Sequence, residues 1–241
     1  MRVLTAFVPL TLAALMSTSA MADGTMQITG HGEVKAAPDT AYVTSGVTSQ
    51  GNTAKEALDA NNADMAKLIE TLKAAGIASE DIQTSGFSVN PNYVYSDARD
   101  DNGYQLPPKV VGYTVSNGVT VQVRDLSILG TVLDQAVTVG ANQISGITFA
   151  VDDPAELYNE ARKLAFADAR AKGQLYAEAA GVELGAIALI SEQLFATPPQ
   201  PYMFKAEAVA MSADRSFVPV EAGSLTFSID VNVNWDLDDD R

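Results

Sequence analysis

The single histidine, His31, stands between two glycines in GHGEV (30–34). An imidazole can move protons near neutral pH, but catalysis needs partners, and none is arranged around this one. One histidine and no cysteine exclude a two-histidine or thiolate metal site. Neither G-x-S-x-G nor H-E-x-x-H occurs. GHGEV has the G-x-G spacing of a nucleotide loop, but no third glycine and no helix after it. His31 therefore reads as a surface or strand-end residue.

Acidic clusters come next. DARDDNG (97–103) has the composition of a calcium loop, but the twelfth position, where a bidentate Glu belongs, is Pro108. It reads as a solvated turn, and DLDDD (236–240) as a terminal charge run. No carboxylate pair stands out among the 30 acidic residues, so a hydrolase is the weakest reading. No metal or cofactor is expected. In GANQISGITF (140–149), Asn142 and Gln143 lie between two apolar runs. Turn chemistry accounts for them: Gly140 ends a helix, the two amides satisfy exposed backbone groups, and Gly146 permits tight entry into a strand.

The remaining candidate is apolar. Residues 194–223 have no stable period and several prolines, and they hold Phe195, Tyr202, Met203, Phe204 and Met211. So long a structureless stretch is functional or mobile. It suits self-assembly or a protein partner. A sacrificial methionine site and a plain flexible loop are the alternatives.

These residues must be positioned by elements that the periodicity predicts. Strands are expected at 26–34, 40–49, 82–95 (Pro91 at an edge or bulge), 113–124, 144–151, 184–193 and 225–235. In 40–49, Ala41, Val43 and Val47 share one face. In 113–124, Val115, Val119, Val121 and Val123 do so, and in the last strand Leu225, Phe227, Ile229, Val231, Val233 and Trp235. Three- and four-residue steps (Ala54, Ala57, Leu58, Asn61, Met65, Leu68, Ile69, Leu72 and Ala75) predict an amphipathic helix over 53–75, capped by Asn52 or Thr53. A second helix runs from Asp125 to about Val139. The third, 152–181, has Asp153 as N-cap, Pro154 at the first turn, a capping box with Glu156, and Leu157, Ala161, Leu164, Ala165 and Tyr176 inward. Gly173 in that helix suggests a close approach to a neighbour. The class is α+β: mixed or antiparallel sheets, built from hairpins, with three amphipathic helices packed on them.

Composition sets the setting. The chain has 241 residues, 30 acidic against 15 basic, and a formal net charge of −15. That argues against nucleic acid, whose phosphates need Lys and Arg, and disfavours anionic membranes. Residues 1–22 read as a signal peptide: Arg2, an apolar stretch from Val3 to Met16, and an A-x-A-type site ending AMA. Export follows, and no later stretch suits a membrane span of ~20 residues. With no cysteine, the core must supply stability without disulfides.

Five segments then carry a likeness: ITGHGEVKAAPDTAYVTSGV, TAKEALDANNADMAKLIETLKAAGI, DIQTSGFSVNPNYVY, VVGYTVSNGVTVQVRDLSILGTVLDQAVTVGANQISGITF and EARKLAFADARAKGQLYAEAAGVELG. In this order they resemble the SIMPL-domain family, specifically its periplasmic immunogenic-protein type. His31 and Gly173 depart from the family pattern, and 194–223 matches only in its Pro and Met content. The resemblance implies one SIMPL domain over 23–241, with a division into two subdomains left open. It implies a periplasmic or envelope-associated protein that is not a known enzyme, a link to oxidative-stress defence, strong antigenicity and large homo-oligomers. It supplies no catalytic residues. A periplasmic binding or chaperone-like module is the alternative.

Overall fold

Alternating apolar residues make the strands, and three- and four-residue steps make the helices. The structure, a computed structural model, describes residues 24–192, 200–202 and 218–238. The elements are β1 (Gly24–Ala36), β2 (Thr40–Gly51), α1 (Ala54–Ala74), β3 (Ile82–Val94), β4 (Lys109–Val123), α2 (Leu129–Thr138), β5 (Gln143–Ala150), α3 (Ala155–Ala180), β6 (Glu183–Glu192), β7 (Gln200–Tyr202) and β8 (Ser224–Asp238). The fold is α+β, and every strand pairing is antiparallel.

The strands form two sheets. One has the order β1-β8-β6, with β7 also on β8; the other is β3-β4-β2-β5. β1 and β2 do not form the expected hairpin. The short connection 37–39, containing Pro38, sends them to different sheets, and β1 pairs with β8 along its whole length. Within 194–223, three residues form β7, opposite Ser224–Thr226.

α1 and α2 cover one face of the β3-β4-β2-β5 sheet. Met65, Leu68, Leu72, Val132 and Leu133 meet Val43, Val47, Val119 and Val121 there. Burying a side chain such as Leu68, at 0% exposure, contributes roughly 1.5–3 kcal/mol. Thr53 caps α1 in a full capping box with Glu56. The second predicted helix is shorter than expected. Asp125 accepts from the Ser127 N–H and opens a 3-10 turn, and α2 begins at Leu129.

α3 differs more. Pro154 occupies the N-cap position, so the predicted capping box does not form; Glu156 accepts instead from Asn159. The buried face is Ala161, Ala165, Ala169, Gly173 and Ala177, while Leu164 and Tyr176 are exposed. Large side chains are turned out because the helix lies directly on the backbone of β1. A Cβ at Gly30 would lie 2.5 Å from the Ala169 nitrogen, and one at Gly32 2.5 Å from the Ala165 nitrogen. The glycines of GHGEV are thus the seat of a helix. At Gly173 the nearest atom to an added Cβ is 3.4 Å away, so the tight approach is on β1, not there.

Candidate functional site

Two surfaces stand out, both on the β3-β4-β2-β5 sheet. The first is the arm formed by β3 and β4. It carries Phe87, Val89, Tyr93, Val94, Val110 and Val111 uncovered, and its connecting turn adds Tyr95 at 74% and Tyr104 at 72% exposure. Within the turn, Asp100 accepts from the Asn102 and Tyr104 N–H groups, and Arg99 donates to the Gly103 carbonyl. The acidic segment is therefore a self-satisfied turn, as expected. The aromatic arm escaped sequence reasoning. Its signal was present: Phe87, Val89, Tyr93 and Tyr95 fall on alternate positions and give the strand an apolar face, for which no covering element was expected.

The second surface is the sheet face opposite α1 and α2. Strand alternation aims Tyr42, Thr44, Gly46 and Thr48 of β2 and Ser116, Gly118, Thr120 and Gln122 of β4 away from the helices. The Thr48 and Ser116 hydroxyls are 2.9 Å apart, and those of Thr44 and Thr120 3.5 Å. Gly46 and Gly118 sit opposite each other at the centre. A Cβ at Gly46 would lie 2.6 Å from the Asn117 carbonyl oxygen, and one at Gly118 2.6 Å from that of Ser85. The strands fold over each other along this row. Both outer strands bulge at the same level, through Gly86 (φ 85) in β3 and Gly146 (φ 130) in β5, a backbone state that favours glycine. Gly146 therefore sits inside β5 rather than at its entry. The result is a depression of about 300 Å³ whose lining includes Thr44, Ser88, Ser116, Gln143 and Ser145.

Asn142 answers for its place in GANQISG. Its side-chain amide donates to the Thr48 carbonyl and accepts from the Thr48 N–H, both at 2.8 Å. It extends the β2–β5 ladder with a side chain. Gly140 (φ 115) makes the preceding turn, and Gln143 begins β5 opposite Gly46. Asn142→Ala is expected to lower stability by about 1 kcal/mol, since the two exposed bonds are partly replaced by water; chemical unfolding measures it.

His31 is a surface residue, as expected, and lies in mid-strand rather than at a strand end. Its Nδ1 is 2.8 Å from Asp230 Oδ1, and its backbone N–H donates to Asp168. Lys172 bonds Asp168 at 2.6 Å and reaches the Thr29 carbonyl. Asp168 and Lys172 thus cover the edge of β1. The hydrogen bond from Lys172, followed by that from the His31 N–H, lowers the Asp168 carboxyl below its ordinary value. A folded-state value below the unfolded one contributes stability above the ordinary carboxylate range near ~4, and the contribution is lost as pH falls through the lowered value. Asp168→Asn should therefore flatten the acid limb of the unfolding curve; thermal melts across that range read it. On the other sheet, Arg124 bridges Asp81 and Asp152 and fastens the end of β4 to two connections.

Among the residues expected to serve assembly, Tyr202 ends β7, opposite Ser224. Phe195, Met203, Phe204 and Met211 lie outside the described residues, as does the signal segment 1–22. Among the described residues, no three His, Cys, Asp or Glu could hold a metal together, and no helix is long and apolar enough to cross a membrane.

The sequence model of the family SIMPL, described as a protein of unknown function (DUF541), matches residues 26–235. The chain belongs to the SIMPL family. The match spans every element from β1 to β8. The 26 kDa periplasmic immunogenic protein of Brucella melitensis biotype 1 is 39% identical over 213 residues, covering 87% of this chain and 83% of the relative. The uncharacterized protein YggE of Escherichia coli K12 is 28% identical over 242 residues, covering 96% and 94%. Neither name attributes a reaction to its protein. Within this SIMPL chain the glycine seat, the Asn142 bridge and the hydroxyl-lined sheet face are all parts of the matched region.

Proposed function

We propose that this SIMPL protein is a non-enzymatic component of the periplasm that assembles with copies of itself and supports tolerance of oxidants. The observation that carries the reading is the aromatic arm. A water-exposed group of Phe87, Tyr93, Tyr95 and Tyr104 has the composition of an interface core, and a monomer leaves it uncovered. β6 adds a second apolar edge, with Ile187, Leu189 and Ile190 exposed. Beyond β6 lies the 194–223 segment with Phe195, Met203, Phe204 and Met211, the contact expected from sequence. Export by the segment 1–22 and the name of the Brucella relative support the compartment. With no cysteine, peroxide cannot be reduced by a thiol of this chain; protection acts through methionine or through assembly.

Light scattering after size exclusion tests the assembly. The mature protein should elute as one discrete oligomer, and the paired substitution Tyr93→Ser and Tyr95→Ser, or removal of residues 203–217, should reduce its mass. A monomer at every concentration overturns assembly. Unchanged peroxide survival in cells lacking the gene overturns the oxidant role.

A further inference from the structure

We propose that the uncovered face of the β3-β4-β2-β5 sheet binds an uncharged oligosaccharide, seated over the Gly46–Gly118 pair. This goes beyond the assembly reading, and its surface meets the aromatic arm at Phe87, which also lines the depression.

The first observation is electrostatic. In a chain that is 19% charged, the strands of this sheet (12, 13, 15 and 8 residues long) carry one charged side chain, Lys109, at the very start of β4. Strands in general are poor in charge, but that does not account for the contrast within this molecule. On the face of the other sheet that α3 leaves open, Glu33, Lys35, Asp230 and Asp236 alternate with the buried residues. Water alone asks for no such difference. An uncharged ligand does, because each carboxylate or ammonium on its seat would be desolvated without a partner.

The second observation is chemical. The depression is not apolar: Thr44, Ser88, Ser116, Ser145 and Gln143 line it with hydroxyls and an amide. A hydroxyl both donates and accepts, as do the hydroxyls of a sugar. The cation at the end of the face, Arg124, is already held by Asp81 and Asp152, and none lines the depression itself, which argues against phosphate or carboxylate ligands. Phe87 is the one large apolar side chain among the lining residues of the depression, too little for a protein interface core, which the aromatic arm as a whole resembles instead. Tyr42, 39% exposed on the same face, offers a flat ring with a polar tip two residues from Thr44.

The third is shape. The glycine pair and the two edge bulges open the depression of about 300 Å³ at the centre, near the lower limit of small-ligand sites. From Thr114 to Gln122 the face extends for roughly 27 Å at ~3.4 Å per residue. That favours a chain of several sugars over a single one.

Saturation-transfer NMR on the intact mature protein with maltohexaose and with N-acetylchitohexaose, both uncharged, tests the proposal at any oligomer size. At least one should give saturable signal. The paired substitution Thr44→Glu and Ser116→Glu, on the solvent side of the sheet, should weaken it at least tenfold while the thermal transition is kept. Gln143→Glu at the sheet edge is the second variant, expected to weaken binding in the same direction should the pair fail to fold. No saturable signal from either sugar overturns the proposal. So does unchanged binding in the charged variants. Loss of oligomer mass in the paired variant, with no sugar bound by the parent, assigns the face to contact between copies and overturns it too.

Discussion

Gly32→Ala is expected to destabilise the protein by about 3 kcal/mol, the upper range of overpacking in a filled core. The added methyl would meet the Ala161 carbonyl oxygen and lie 2.5 Å from the Ala165 nitrogen. Both are main-chain atoms of α3, so no rotamer change relieves the clash. The helix must lift, and its alanine face then parts from Ile229, Val231 and Val233. Gly30→Ala acts in the same way against Ala165 and Ala169. His31→Ala, between the two, removes only an exposed contact with Asp230, and exposed pairs are worth ~0–1 kcal/mol. Urea unfolding of the three variants checks the order. A Gly32→Ala protein as stable as His31→Ala would show that α3 is not seated on β1.

The second large effect is expected at Asn61. This residue is 0% exposed on α1, and its Nδ2 donates to the Val47 carbonyl at 2.9 Å and the Val115 carbonyl at 3.3 Å. It fastens α1 to the two central strands at once. Its own Oδ1 has no hydrogen-bond partner among the described residues, so the donor side of the amide is what the fold uses. Asn61→Asp replaces a donor with a carboxylate facing two carbonyl oxygens. An unpaired buried charge costs about 3–5 kcal/mol, and that loss is expected at neutral pH. Burial and the facing oxygens raise the folded-state value of the new carboxyl above its unfolded value. The deficit is therefore smallest below the unfolded value, where the acid is protonated in both states, and it grows as pH rises. Asn61→Leu loses the hydrogen bonds without adding a charge and should cost about 1–3 kcal/mol at every pH. Unfolding of both variants at acid and neutral pH separates the charge from the hydrogen bonds. A pH-independent deficit in Asn61→Asp would refute the charge argument.

Much of the fold was legible because periodicity is a local property. Leu225, Phe227, Ile229, Val231, Val233 and Trp235 alternate in sequence and are all buried on one face of β8. Of the stripe expected in 53–75, Ala57, Asn61, Met65, Leu68 and Leu72 are buried, and Ala54, Leu58, Ile69 and Ala75 are half-buried beside them. Asn61 could be placed on that face, but not its carbonyl partners, which lie 14 and 54 residues away. The turn reading of Asn142 was likewise right in kind. Which backbone its amide would serve depended on Thr48, 94 residues distant.

Most of the secondary structure, the α+β class, and the exclusion of thiol and two-histidine chemistry were therefore readable in the sequence alone. These follow from composition and from patterns shorter than an element. Only the tertiary structure decided that β1 and β2 part into different sheets and that α3 buries alanines instead of leucines. It alone decided that the glycines around His31 are a helix seat, and that Gly46, Gly118 and two bulges fall in one row. Each of these depends on which strands become neighbours. That is set by the joint burial of Phe227, Val231 and Val233 under α3 and of Val43, Val119 and Val121 under α1 and α2, a balance among residues far apart in the chain that no local pattern encodes.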